Sequence, residues 1–320
     1  MRLPGFRSLD LAALVGVIAV ALAFFRWHQP AMGQLSVLGD LVNQRPDLIV
    51  LAVAMTFVLL VGEIDLSVGS VLALASVTFG WVLDATGSGL LAAIAALGVG
   101  TLCGVASGLL TVALRIPSFV VTLGMMEIAR GLAYWLSDMR RIGVGGCLDW
   151  LARPVAALAS VPVIGPMKPT PAVGLAIVVA LVGHVVLRQT VFGRHCQAIG
   201  DNRTAFTLSG GRVGWRVVTV FALSGLAAGV AGLMQTARFD ATDHGGGVAM
   251  ELTVIAAVVV GGTRLTGGRA TVVGTLLGVL LIAVLQDGLS LMGTGTVAKR
   301  LSVGGVILLA VLFDSWRQRR

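Results

Sequence analysis

Residues 193–210 read GRHCQAIGDNRTAFTLSG, a polar, basic, helix-compatible stretch set between long apolar segments. Its surroundings give it meaning. Hydrophobic residues make up 57% of the 320-residue chain, charged residues only 12%, and mean hydropathy is +0.96. Soluble domains carry about 25% charged residues. Many runs here approach or exceed the roughly 20 apolar residues that cross a bilayer as a helix. The fold class is read as all-α: a polytopic integral membrane protein, one transmembrane domain over residues 1–320. A polar stretch of this length between spans must then sit in water, where it meets something soluble.

Working outward from it, the hydropathy pattern predicts ten membrane segments, at about 9–25, 47–61, 66–85, 89–114, 117–137, 171–188, 214–236, 250–263, 271–292 and 297–313. Residues 31–45 are less apolar and read as a re-entrant or interfacial helix. Segments 47–61 and 250–263 are short, which suits burial against neighbours as well as a full crossing. The first segment lacks a small-residue cleavage site and is read as a retained span. Glycines fall at four-residue spacing at Gly100, Gly104 and Gly108, at Gly225 and Gly229, and at Gly274 and Gly278. Small residues at that interval let helix backbones approach closely in lipid.

Charge sets the expected orientation. With the N-terminus inside, one face holds thirteen basic and five acidic residues, the other nine basic and eight acidic. Such an excess of Arg and Lys marks the cytoplasmic side, so both termini and residues 193–212 are expected inside, and the largest outer loop is 138–170. The net charge of +8 is spread among apolar spans and indicates no nucleic-acid partner.

Four stretches carry candidate chemistry. In Gly62-Glu63-Ile64-Asp65-Leu66-Ser67-Val68-Gly69-Ser70, two carboxylates interrupt an apolar region. Either an acid at membrane depth serves function, or Asp65, with Ser67 as the other candidate, caps the following helix. Glu251 opens an apolar run that ends at GGTRLTGG (261–268), a tight turn rather than a phosphate cradle, since Walker spacing is absent. Glu251 itself either caps its helix or lines a path. Glu127 and Arg130 stand three apart on one helix and can meet, as a structural pair or as pore-lining groups. Within 193–210, Gly200 breaks the stretch, and Asp201 or Asn202 caps a short helix over 203–209. That helix has a small apolar face of Ala205, Phe206 and Leu208, suited to docking in a protein groove; the other reading lays it on lipid headgroups. Cys103, Cys147 and Cys196 and the four histidines show no metal spacing.

The stretches VGEIDLSVGSVLAL (61–74), RIPSFVVTLGMM (115–126), residues 193–210, ELTVIAAVVVGGTRLTGGRATVVGTLLG (251–278) and ILLAVLFD (307–314) together resemble the permease subunit of ABC importers of the ribose/xylose/rhamnose/autoinducer-2 class. The likeness covers most of the chain from about residue 45. It implies a bundle of about ten helices that pairs with a second permease subunit, identical or paralogous, in the bacterial inner membrane. It also implies two cytoplasmic ATP-binding subunits, a periplasmic or lipid-anchored solute-binding protein, and a sugar or sugar-like cargo. The permease itself would be non-catalytic and need no cofactor. Gly193, Arg194, Gly200, Asn202, Ala205, Ser209 and Gly210 fall on recurrent positions of the family's coupling region, and Asp201, Arg203 and Phe206 lie among them. Glu63 stands where Gly is usual, Phe206 and Gly211 replace a small residue and Ile, and Ala270 replaces Gly. The rival class is an ion-coupled secondary transporter using Asp65, Glu127 and Glu251. An integral-membrane enzyme lacks a nucleophile, metal cluster or acid–base pair.

Overall fold

The computed structural model describes residues 8–305 and 308. In chain order its helices are α1 (Ser8–His28), α2 (Leu35–Asn43), α3 (Pro46–Leu60), α4 (Val68–Thr86), α5 (Gly89–Leu114), α6 (Ser118–Ser137), α7 (Asp149–Ala152), α8 (Pro171–Gln189), α9 (Val191–Asp201), α10 (Arg203–Leu208), α11 (Val213–Phe239), α12 (Met250–Val260) and α13 (Val272–Leu291). No strand occurs among the described residues; the loop between α6 and α7 meets the end of α11 through one isolated bridge between Gly143 and Ala241. The all-α reading holds.

Seven described helices are long and apolar enough to cross a membrane, and eight if α2 and α3, bent by 53° at their junction, form one broken span. The expected ten is thus not reached. At about 1.5 Å per residue, the 11 residues of α12 are too few to span the hydrocarbon core alone. The predicted segment 297–313 starts within a helical stretch from residue 296, but 306, 307 and 309–320 lie outside the described residues.

Burial sorts the helices into a centre and a ring. In α4 and α11, 67% of the apolar window lies inside the bundle, against 17% in α1 and α6. α3 is buried along almost its whole length. The ring helices turn Val, Leu, Ile and Phe outward, as lipid-facing helices do.

The glycine spacing explains the closest packing. A Cβ on Gly100 would lie 2.5 Å from the Gly225 carbonyl oxygen, and one on Gly104 would run into that of Phe221. Thus α5 and α11 touch backbone to backbone, with Gly100 and Gly104 facing Gly225 and Gly229. On the other side of the bundle, Gly274 and Gly278 of α13 lie against Gly261 and Ala257 in the same manner.

The two short helices end alike. At α3, Gly62 N–H donates to Leu59 O and Glu63 N–H to Val58 O; at α12, Gly262 N–H donates to Val259 O and Thr263 N–H to Val258 O. Gly62 and Gly262 take φ of +77° and +87°, the left-handed conformation that glycine adopts without a Cβ penalty. Both helices therefore stop at the same end of the bundle, where α9 and α10 also stand.

Candidate functional site

The site is built where three irregular segments meet. α9 follows α8 through a tight turn: Thr190 Oγ1 accepts from Gly193 N–H at 3.2 Å, and a Cβ on Gly193 would strike the carbonyls of Val186 and Leu187. The chain then breaks at Asn202, whose Oδ1 accepts from Ala205 N–H at 2.9 Å and caps α10. Residues 193–210 are thus two helices and not a loop broken at Gly200. Gly200 is helical and serves close approach, since a Cβ there would collide with Leu60 O and Gly268 N. Of the two residues suited to capping α10, Asn202 fills the role and Asp201 does not. Asp201 ends α9 with its carboxylate beside Gly268.

Backbone contact continues through this junction. Gly268 N–H donates to Leu60 O at 3.0 Å, and the α carbon of Gly200 lies against Gly267. One ion pair is added: Arg203 Nη2 lies 2.5 Å from Glu63 Oε1, with side chains 53% and 8% exposed. The turn after α3, the loop between α12 and α13, and the α9–α10 pair form one junction.

The outward face of α10 differs from the expected one. Phe206 is half-buried, its ring 5.2 Å from that of His195 in an edge-on arrangement and against Gly211. Its bulk at this position fills the space that Gly211 leaves open. Leu208 is 84% exposed, and Arg194, Thr204, Ala205, Thr207, Ser209 and Gly210 are exposed beside it. Beneath them Cys196 is buried, and that burial pushes its thiol up to about 12, with Arg216 opposing the shift.

Between α3 and α4 the chain is unwound and buried. Its polar groups find partners on two neighbours, as buried backbone outside a helix requires. Ile64 N–H donates to Ser118 Oγ at 3.0 Å and Leu66 N–H to Thr122 Oγ1 at 3.1 Å, both on α6. Asp65, 2% exposed, accepts at Oδ1 from Ser67 N–H (2.9 Å) and Ser67 Oγ–H (2.6 Å), and at Oδ2 from Ser224 Oγ–H of α11 (2.7 Å). Neither Asp65 nor Ser67 caps α4 by a side-chain bond; Asp65 holds a local turn and ties it to α11. Ser118, Thr122 and Ser224 were not singled out from the sequence. Only their lying in apolar helices opposite an unwound stretch reveals them.

Arg130 does not pair with Glu127. Its Nη1 donates to the carbonyls of His244 and Gly246 at 2.8 Å each, holding the loop before α12, while Glu127 is exposed on α6. Glu251 stands in the first turn of α12, its carboxylate against Gly69, where negative charge suits the helix dipole. Among the described residues no His, Cys, Asp and Glu group could hold a metal ion.

Fold and site define the class: an all-helical, multi-pass membrane protein whose two short broken helices converge on a helix pair at one end of the bundle. Residues 37–312 match the family described as the permease component of the branched-chain amino acid transport system, and the chain belongs to that permease family. It is 39% identical over 283 residues to an L-arabinose ABC transporter permease of Azospirillum brasilense, covering 84% of this chain and 77% of the relative. It is 33% identical to the ribose import permease of Escherichia coli K12, covering 97% and 94%. To the fructose import permease of Rhizobium meliloti it is 34% identical, covering 83% and 74%. No solved structure matches the chain.

Proposed function

We propose that this protein is the membrane-spanning subunit of an ATP-driven monosaccharide importer of the bacterial inner membrane. Its partners are two cytoplasmic ATP-binding subunits, a second permease subunit, and an extracytoplasmic binding protein that delivers the sugar. The observation that carries this reading is the junction at α9 and α10. Gly200 and Gly268 touch the end of α3 with no side-chain layer between them, so a displacement of α10 passes directly to the turns that begin α4 and α13. The exposed face around Leu208 is the surface an ATPase groove would hold. Arabinose, ribose and fructose permeases among the relatives support a sugar cargo. In this reading both termini and α10 are cytoplasmic, and α12 and the apolar segment 297–313 complete about ten membrane segments.

The test is reconstitution of the chain in liposomes with its ATP-binding subunits and binding protein, followed by uptake of D-ribose, L-arabinose and D-fructose. Uptake of at least one sugar that requires ATP and all the partners supports the proposal. Accumulation by the chain alone on a sodium or proton gradient would overturn it in favour of a secondary transporter.

A further inference from the structure

At the end of the bundle that carries α10, the long helices α5, α6 and α11 reach the surface side by side. Only Arg115, Ile116 and Pro117 separate α5 from α6, and Arg115 turns the chain with φ of +54°. So short a link between two apolar helices holds Arg115 at the boundary of the apolar layer. A Cβ on Gly214 would lie 2.7 Å from Val112 Cγ1. The antiparallel register that sets these two together brings Arg212 level with Arg115. Both arginines are exposed.

Their charge is not spent on the protein. Among the described residues neither forms an ion pair, whereas Arg203 holds Glu63 and Arg216 lies over the Phe192 ring at 5.7 Å, turned toward α9. The carboxylate of Asp65 is occupied by Ser67 and Ser224. At the opposite end of the bundle, Arg45, Arg141, Arg153 and Arg238 each face an aspartate.

Within one turn of Arg212 stands Trp215, 68% exposed, and the exposed side of α11 continues through Leu223 and Leu226. Leu114 and Phe119 are exposed beside Arg115. An indole, apolar with one N–H donor, favours the depth where hydrocarbon meets headgroups. A soluble partner would cover the arginines and leave the leucines bare, whereas a phospholipid covers both with one molecule. Guanidinium groups fit phosphate oxygens as bidentate forks, and a lipid of net negative charge brings no cation of its own to oppose them.

We infer that Arg115, Arg212 and Trp215 form a site for the headgroup of an anionic phospholipid, whose acyl chains lie along the exposed sides of α5 and α11. The site stands on the membrane-spanning fold and is independent of the importer reading. When occupied it ties the start of α6 to the start of α11. Because Ser118 and Thr122 of α6 hold the unwound backbone after α3, the lipid steadies the segment to which α10 is fastened.

The full chain is placed in bilayers of dioleoyl phosphatidylcholine containing brominated phosphatidylglycerol or brominated phosphatidylcholine. Fluorescence quenched in the wild type, less that quenched in Trp215→Phe, isolates Trp215 from the rest of the six tryptophans. Phosphatidylglycerol should be preferred at Trp215 by about tenfold or more, since each arginine near an anionic surface contributes about fivefold. Arg115→Gln with Arg212→Gln should bring the two lipids to parity. Arg188→Gln with Arg264→Gln, which removes the same charge elsewhere at this end, should leave the preference intact. If the first pair fails to fold, Arg212→Gln alone decides, with the preference cut several-fold. Equal quenching by the two lipids, or a preference lost as much in the second pair as in the first, would overturn the site. So would an absence of quenching at Trp215, which would put a protein surface there. A preference that disappears when the ATP-binding subunits are bound would likewise overturn it and assign the arginines to those subunits.

Discussion

Glu63 and Arg203 are 140 positions apart and 2.5 Å from one another, and their ion pair fastens α10 to the turn that follows α3. The two ends are unequal, because Glu63 is buried and Arg203 is half in solvent. Removing Arg203 strands a buried carboxylate, at a cost of about 1–3 kcal/mol. Removing Glu63 leaves a guanidinium that water can solvate, at about 0–1 kcal/mol. Arg203→Ala should therefore lower the thermal midpoint in detergent more than Glu63→Ala, and Arg203→Ala with Glu63→Ala should recover most of the loss. Equal losses in the two single variants would show that Glu63 is hydrated in the protein.

Asp65 gathers three donors, two from Ser67 and one from Ser224. Asp65→Asn keeps one carboxamide oxygen for the Ser67 N–H, and its NH₂ can face Ser224 Oγ, which then accepts. Asp65→Ala leaves all three groups unpaired in a buried place and should cost at least about 2 kcal/mol, more than a lost helix cap. The ordering to measure by thermal unfolding is wild type, then Asn close behind, then Ala far below. Asn as unstable as Ala would mean that the charge itself is needed.

Gly104 and Gly98 lie on the same helix in opposite settings. A Cβ on Gly104 meets α11 backbone, whereas nothing lies within 4 Å of one on Gly98. Gly104→Val should force α5 and α11 apart at a cost of about 1–3 kcal/mol or more and reduce the monodisperse fraction on size exclusion. Gly98→Ala should be neutral or slightly stabilising, since Ala favours helix by up to about 1 kcal/mol over Gly.

Asn202 caps a helix of six residues, too short to persist on its own. Asn202→Ala should cost about 1 kcal/mol locally, while Asn202→Asp should be tolerated. Hydrogen exchange at the amides of 204–208 reads the effect. Protection unchanged in Asn202→Ala would mean that contacts with α9, and not the cap, hold α10 in place.

Cys196 gives a pH dependence. Burial holds its thiol neutral up to about 12, against 9.0 for a free thiol. The unfolded chain therefore loses this proton first. The associated stability is fully present below pH 9 and declines between 9 and about 12. A small maleimide at pH 8 should modify Cys196 only after denaturation. Cys196→Ala should show a shallower loss of stability above pH 9 than the wild type; identical alkaline profiles would refute the buried neutral thiol.

The sequence by itself placed the apolar helices between residues 9 and 292 to within three residues at either end, though not how many of them cross the membrane. Hydrophobicity and length are local properties, and lipid demands that each span satisfy its own backbone. Its glycine spacing also foretold that α5 would approach another helix closely, and polarity singled out 193–210. Only the tertiary structure decided what each polar residue does. Glu127 and Arg130 share a helix, yet Arg130 reaches the carbonyls of His244 and Gly246. Phe206 lies in the exposed segment, yet turns toward His195. Gly200 looked like a break and is instead the point where α9 meets the end of α3. A local pattern gives a residue's neighbours three and four positions away. Partners such as Ser224 for Asp65 and Arg203 for Glu63 exist only once the packing of α4, α10 and α11 has set which surfaces face each other.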